Sequence, residues 1–213
     1  MSAETEKLFR KLLKELRPLF KEEKFRASSQ NFILESAECW VILNFQKSRW
    51  ADRDETTFYI NVAACSKRWL GIASKPADKA PPYYSCDWQW RAEHFGPDKN
   101  IQQWTLRDED SLQQTAGYLQ NLLQVFVFPA TRTMTTEAEL LKHSGGFEYP
   151  QLKTRAVILA ATNQVSALKQ AVAALVEKYG SGVVAEATRD HLTLLRSKYP
   201  EAMHSIEQAS ESC

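Results

Sequence analysis

The chain has 213 residues, with 27 Lys and Arg against 26 Asp and Glu, so its formal net charge is +1. Its 44% of hydrophobic and 11% of aromatic residues exclude a disordered chain, which would be poorer in both. The near-neutral balance argues against non-specific binding to nucleic acid or to an anionic membrane, since both draw on a surplus of Lys and Arg.

The start of the chain and its cysteines predict a cytoplasmic protein. Residues 1–7 are charged and lead into an amphipathic pattern, not into the apolar segment of a secretory signal. The longest apolar runs, 156–161 and 171–176, have six residues each, whereas a membrane-spanning helix needs about 20. The four cysteines lack the spacing of a zinc site or of a small disulfide framework. We therefore expect reduced thiols, no metal, no cofactor and no membrane partner.

Residues 5–23 predict an amphipathic helix, because apolar residues recur there at intervals of three and four. Pro18 lacks the N–H that would bond to the residue four positions back, so a kink is expected there. From residue 30 to 66 the apolar period changes to two, which predicts a three-stranded antiparallel meander. Alternation turns Leu43 and Ile60 to the face that the first helix covers.

The middle of the chain continues the sheet and then changes to helix. The segment 72–85 holds three of the eight prolines and predicts an irregular excursion between strands. Further strands are expected at 86–94 and near 103–106. They are followed by a helix over 112–126 that Pro129 ends.

The C-terminal part of the chain is helical throughout. Apolar residues at helical spacing predict helices over 151–161 and 165–179 and a last helix that stops at Pro200, with a frayed end at 205–213. His191 lies on an apolar stripe of the last helix. We interpret it as a core histidine whose ring nitrogens have hydrogen-bond partners.

The predicted fold class is α+β: an antiparallel meander sheet covered by an N-terminal helix, with a C-terminal all-helical extension. At this length one domain with an appendage is expected. We divide the chain into an α+β domain with the antiparallel sheet at 1–130 and a helical extension packed on it at 131–213.

Several short motifs in the first 130 residues follow one another in a characteristic order. They are, after the first helix, Asn44-Phe45-Gln46-Lys47-Ser48, Phe58-Tyr59-Ile60-Asn61, Trp90-Arg91, His94-Phe95-Gly96, and Trp104 before a helix. With these motifs the chain resembles the bacterial family called Domain of Unknown Function 4304. The family pattern has Arg-Leu-Gly in place of His94-Phe95-Gly96. The resemblance implies an α+β bacterial protein without an established activity.

Three carboxamides, Asn44, Gln46 and Asn61, lie in predicted strands, where Asn is disfavoured. Alternation places them on the sheet face opposite the core, beside Tyr59. One hypothesis is a groove that hydrogen-bonds a ligand or a partner backbone, since amides donate and accept but cannot act as general bases. The alternative is that they are solvated or hold a neighbouring loop.

Cationic and aromatic residues near the carboxamides extend the candidate binding set. Lys47 and Arg49, with Arg53 nearby, could contact an anion or a carboxylate, or they could belong to a solvated hairpin loop. All six tryptophans lie in the first half of the chain, which predicts either an aromatic core or a partner surface. Trp90 and Arg91, which lie in the strand expected at 86–94, also belong to the candidate binding set.

His94, with Arg91 and Glu93, is the nearest approach to an acid–base cluster. A single histidine needs a positioned partner to act in catalysis. The sequence contains no Gly-x-Ser-x-Gly, no phosphate-binding Gly-rich loop and no His-Glu-x-x-His motif. We therefore assign no catalytic residue beyond the candidate His94.

These observations favour a non-enzymatic module that binds another protein, in a toxin-neutralising or accessory role. The competing hypothesis is an enzyme acting on a small molecule or nucleotide through His94, with Arg91 or Lys47 holding an anion. A third is a structural scaffold that self-associates through its helical tail. The sequence leaves the oligomeric state open.

Overall fold

The computed structural model of the protein describes residues 3–49, 54–145 and 147–211. Expectations about Trp50, Arg53 and Cys213 lie outside the described residues. The chain begins with helix α1 (Ala3–Glu22), continues as a six-stranded antiparallel sheet and ends in a helical region. This architecture confirms the α+β prediction.

The first five strands of the sheet follow one another in space as in sequence, and the sixth pairs with the fourth. The strands are β1 (Arg26–Ser28), β2 (Asn31–Glu35), β3 (Cys39–Lys47), β4 (Thr56–Ser66), β5 (Trp88–Arg91) and β6 (Trp104–Leu106). Strands β1 to β4 form an antiparallel meander. Because β4 has eleven residues, its far edge accommodates two short strands, β5 along its C-terminal half and β6 along its N-terminal half.

The inner face of the sheet carries the main core, as alternation predicts. Leu43 and Ile60 are fully buried there, and α1 covers them with its apolar face. The ring of Phe20 from α1 stacks on Phe32 of β2 at a centroid distance of 3.7 Å. The core also includes Ile158 from the helical region, and the division of the chain at residue 130 stays a prediction.

Helices fill most of the chain outside the sheet. They are α2 (Lys67–Ile72), α3 (Glu109–Asn121), α4 (Phe128–Thr133), α5 (Glu137–Leu140), α6 (Glu148–Ala161), α7 (Val165–Tyr179), α8 (Ala185–Lys198) and α9 (Pro200–Glu211). A capping box starts α3, in which Asp108 accepts from the backbone of Ser111.

Two prolines, Pro18 and Pro129, lie inside helical segments of the chain. The helix α1 continues through Pro18 to Glu22. The prediction that Pro129 ends its helix is wrong, because a π-helical turn at Leu122–Val127 carries the chain from α3 directly into α4. The wider turn accommodates the ring and the missing N–H, which a regular α-helix interior does not.

The end of the chain also differs from the prediction. Pro200 does stop α8, but it then begins a further helix, α9, at a position where the missing N–H has no intrahelical partner to lose. Residues up to Glu211 are helical, so fraying from residue 205 is wrong for the described part. Ile206 is buried against the other helices, which explains why this segment is ordered.

The outer face of the sheet is divided into two halves. The excursion between β4 and β5, residues 67–87, folds back over one half and encloses a small apolar cluster with Trp40 and Ile42. Trp40 Nε1 donates to the carbonyl of Ala77 in this excursion at 3.1 Å. The other half carries polar side chains and holds the candidate site.

Candidate functional site: a polar row on the outer sheet face

Four polar side chains form a row across the outer face, one from each of four neighbouring strands. Strand pairing aligns Asn31 with Asn44, Asn44 with Asn61, and Asn61 with Arg91. Asn44 Nδ2 donates to Asn31 Oδ1 at 2.6 Å. Asn61 Nδ2 donates to Asn44 Oδ1 at 3.0 Å, and Arg91 Nη1 donates to Asn61 Oδ1 at 2.6 Å. We call these four residues the polar row.

Gln46 joins the polar row from the side. Its Oε1 accepts from Asn61 Nδ2 at 3.1 Å and from the Tyr83 hydroxyl at 2.7 Å. Since Asn61 also donates to Asn44, both hydrogens of its amide nitrogen are used. Tyr83 belongs to the excursion, so this bond connects the covered half of the face to the polar half.

The guanidinium of Arg91 ends the row at the surface. It lies over the ring of Tyr59, with 4.4 Å from Cζ to the ring centroid. Ring stacking and the bond to Asn61 together fix its orientation. Arg91 is exposed, and no ion pair in the described part of the chain includes it. One of its five donors is used by Asn61.

The carboxamides lie on the predicted face, but two of them are buried. Asn44 is 4% exposed and Asn61 is 6% exposed. Buried amides are stable only when hydrogen-bonded, and the polar row supplies the partners. These two side chains therefore orient Arg91 and Gln46, while the residues within reach of a ligand are Arg91 and the half-buried Tyr59 and Gln46.

The other candidate residues lie away from the polar row. Lys47 points to the inner side, where its Nζ contacts Glu6 Oε2 at 2.6 Å. Trp90 is buried on the inner face and donates to the carbonyl of Ser144 at 2.9 Å. Both separations follow from alternation, since Lys47 and Trp90 are each one residue away from a member of the outer-face set. Arg49 is exposed beyond the end of β3.

The acid–base candidate His94 is exposed and packs edge-on against Phe95 at a centroid distance of 5.2 Å. It forms no hydrogen bond with another described residue. Glu93 beside it is buried, and its Oε2 has no partner among the described residues. Desolvation raises the pKa of Glu93, and the charge of Arg91 opposes the increase. The geometry therefore does not join His94 to a base or a nucleophile.

A second buried polar group lies at the junction of α2, α6 and α8. His191 is 4% exposed and packs edge-on against Trp69 at 5.4 Å. Neither ring nitrogen has a partner among the described residues, so the expected hydrogen bonds of this core histidine are absent there. Burial and the charge of Lys153 lower the pKa of His191 to about 4, while an interaction of the ring with the backbone of Lys153 opposes the decrease. Nearby in the same region, Asp87 accepts from the Thr154 hydroxyl at 2.7 Å, and desolvation raises the pKa of Asp87 to about 6.

Searches for metal sites and membrane spans give negative results within the described ranges. No group of three or more His, Cys, Asp or Glu side chains in 3–49, 54–145 and 147–211 is arranged to hold a metal ion. None of the helices described for this chain combines the length and the apolar character that crossing a bilayer requires.

Sequence reasoning missed two residues of the site. Asn31 could have been found, because pairing β2 with β3 through a short turn places it opposite Asn44 in the same row. Tyr83 had no usable signal, since the excursion has no periodic pattern that predicts where its side chains point. The long-range bond from Tyr83 to Gln46 depends on how the excursion folds over the sheet.

The fold and the site together define an α+β protein with an open antiparallel sheet, one face of which is partly uncovered. A family profile described as "Domain of unknown function (DUF4304)" matches residues 16–133. This match covers more than half of the chain, and the protein belongs to this family. Comparison with curated proteins and with solved structures gives no match. Bacterial origin stays a prediction.

Proposed function

We propose that the protein is a protein-interaction module that binds an acidic segment of a partner protein at the polar half of the outer sheet face. The observation that supports this proposal is the exposed guanidinium of Arg91, which is oriented by Asn61 and Tyr59 but has no carboxylate partner in the described chain. A guanidinium with fixed orientation and free donors recognises carboxylates with two parallel hydrogen bonds.

Side chains that are connected to Arg91 through Asn61 and Gln46 are of the types that contribute most to protein interfaces. Tyr84 is 67% exposed, and its ring packs edge-on against Tyr83, which is bonded to Gln46. Tyrosine and arginine are enriched among interface residues whose truncation weakens binding strongly. Because the polar row is already hydrogen-bonded internally, binding would require little additional ordering of side chains.

This proposal includes an accessory or toxin-neutralising role without catalysis, and it locates the protein in the cytoplasm. Cys39, Cys65 and Cys86 are buried free thiols. The hydrogen bond with Cys86, together with burial, raises the pKa of the Cys65 thiol, which keeps it in the unreactive protonated form. A reducing compartment maintains cysteines in this state.

Site-specific crosslinking tests the proposal. A photo-crosslinking phenylalanine derivative replaces Tyr84, and cells that express the chain are irradiated. A second variant carries the same group at the fully exposed Val183 in the helical region. We expect a crosslinked protein from position 84 but not from position 183, with an acidic segment at the crosslink identified by mass spectrometry.

The Arg91→Gln variant decides whether the guanidinium is the contact. We expect the crosslinked product to be lost in Arg91→Gln and kept in Arg26→Gln, which removes an exposed arginine at the opposite edge of the sheet. Equal products from both variants, a partner segment without acidic residues, or no product specific to position 84 would overturn the proposal. Circular dichroism checks that both variants remain folded.

A further inference from the structure

A cleft of about 470 Å³ lies on the other side of the sheet, between α1, the turn from β1 to β2 and the end of β3. Among the described residues, four cations and one carboxylate line it, which is a local excess of three positive charges on a chain whose net charge is only +1. The cations are Arg10, Lys14, Arg17 and Lys47, and the carboxylate is Glu6. We call it the α1 cleft.

Glu6 holds two of the cations in place at one end of the α1 cleft. Its carboxylate contacts Lys47 Nζ at 2.6 Å and Arg10 Nε at 3.2 Å. The hydrogen bond from Lys47 lowers the pKa of Glu6, so the carboxylate stays ionised at neutral pH. One carboxylate cannot neutralise two cations. It also does not contact the other two cations of the cleft, Lys14 and Arg17.

The cations of α1 repel one another in the absence of an anion. Arg10, Lys14 and Arg17 follow one another at spacings of four and three, so they share one face of the helix. Like charges at these spacings destabilise a helix. No ion pair in the described part of the chain includes Lys14 or Arg17. A bound anion would relieve this repulsion.

We propose that the α1 cleft binds the diphosphate or triphosphate group of a small molecule. Its volume lies within the range of small-molecule sites. Clustered Arg and Lys side chains match several phosphate oxygens at once. Ser29 and Gln30 at the rim add neutral hydrogen-bond donors, and Phe9 closes the floor with an apolar ring.

The charge distribution favours a compact anion over a nucleic acid. A duplex contacts phosphates along an extended basic surface, whereas these four cations surround a single cleft. The proposal is independent of the interaction proposed for the polar row, which lies on the opposite face of the sheet, and neither depends on the other.

Isothermal titration calorimetry with inorganic pyrophosphate at low ionic strength tests this site. We expect saturable binding to the wild type, and binding at least about tenfold weaker in the double variant Lys14→Gln/Arg17→Gln. The matched control is Lys7→Gln/Lys21→Gln, which removes two exposed cations of the same helix that do not line the cleft. We expect this control to bind within about twofold of the wild type.

The Glu6→Gln variant gives a test that misfolding cannot mimic. Removing the one carboxylate that the described residues contribute to the α1 cleft should strengthen pyrophosphate binding by a few-fold, since the ligand no longer competes with it for Lys47 and Arg10. Titration with adenosine triphosphate distinguishes a nucleotide from a free diphosphate. Absence of binding to both probes, equal weakening in the two double variants, or tighter binding of a DNA duplex than of either probe would overturn the proposal.

Discussion

Two of the places where the protein buries polar groups differ in how those groups are hydrogen-bonded. In the polar row, every carboxamide on the outer sheet face is bonded to a neighbour, from Asn31 to Arg91. At the junction of α2, α6 and α8, the ring of His191 is equally buried but has no hydrogen-bond partner among the described residues. The first arrangement fixes side-chain geometry, whereas the second costs free energy of folding.

The comparison teaches that burial alone does not identify a functional histidine or amide. A satisfied network in a sheet stabilises the conformation in which Arg91 is held, so the same bonds serve folding and, in the proposed function, recognition. A buried imidazole without partners must remain neutral to be tolerated. The low pKa of His191 is therefore a consequence of its burial and of the nearby charge of Lys153.

The largest effect is expected when the centre of the polar row is removed. Asn61→Ala leaves Asn44 Oδ1 and one Arg91 donor without a partner, and Gln46 Oε1 loses one of its two donors. We expect the free energy of unfolding to fall by about 3 kcal/mol. Urea denaturation measures it, and Asn31→Ala at the end of the row is the matched control, with an expected loss of about 1 kcal/mol. Equal losses for the two variants would show that the row does not act as a network.

The junction should produce a smaller, pH-dependent effect. His191 has a pKa of about 4 in the folded chain, below its ordinary value of about 6.5. The unfolded chain therefore binds its proton first as the pH falls, and stability is lost below pH 6.5 until the pH reaches about 4. Between pH 7 and pH 5, protonation of His191 in the unfolded chain should lower the free energy of unfolding by about 2 kcal/mol. Denaturation of the His191→Leu variant at pH 7 and at pH 5 should show no such loss of stability.

Asp87 acts in the opposite direction. Its pKa of about 6 is above its ordinary value, so the folded chain binds the proton first and stability is gained as the pH falls from about 7 towards 4. Between pH 7 and 5 the gain should be about 1 kcal/mol. The variant Asp87→Asn should therefore lose more stability than the wild type over this interval. An identical pH profile for the two proteins would contradict the assignment.

At neutral pH the contrast between the two places can be measured directly. We expect His191→Leu to stabilise the protein by about 1 kcal/mol, because a leucine removes two unpaired ring nitrogens and keeps the apolar contact with Trp69. A thermal melt followed by circular dichroism gives the change. A destabilised variant would mean that the imidazole has a favourable interaction that its packing does not reveal.

The smallest effect on stability is expected at the exposed end of the row. Arg91→Gln should change the free energy of unfolding by less than about 1 kcal/mol, since an exposed cation contributes little to folding. The Asn61 carboxamide can still bond to the shorter glutamine or to water. Urea denaturation alongside the crosslinking experiment separates recognition from folding, and a loss as large as that of Asn61→Ala would place Arg91 in the structural network.

The sequence predicts the sheet because alternation is a local property. Leu43 and Asn44 are assigned to opposite faces from their parity alone, and the structure has them there. The alternation of side chains does not show whether other parts of the chain cover the outer face. The burial of Asn44 and Asn61 therefore does not follow from alternation. That burial depends on neighbouring strands and on the folding of an aperiodic segment.

The errors at prolines have a related origin. A proline is incompatible with the interior of a regular α-helix, and the rule fails for Pro129 because the preceding turn widens. The widening is fixed by tertiary packing of Leu122, Leu123 and Val127, which are buried in the main core. Sequence spacing does not carry this information.

The excursion between β4 and β5 has a consequence for how such a protein can diversify. It leaves the sheet at the end of one strand and returns at the start of the next without altering any strand pairing. Insertions or deletions within it would therefore widen or narrow the uncovered area while the strand register stays unchanged. The extent of the open sheet surface can thus change through the length of one connection, at little risk to the scaffold beneath it.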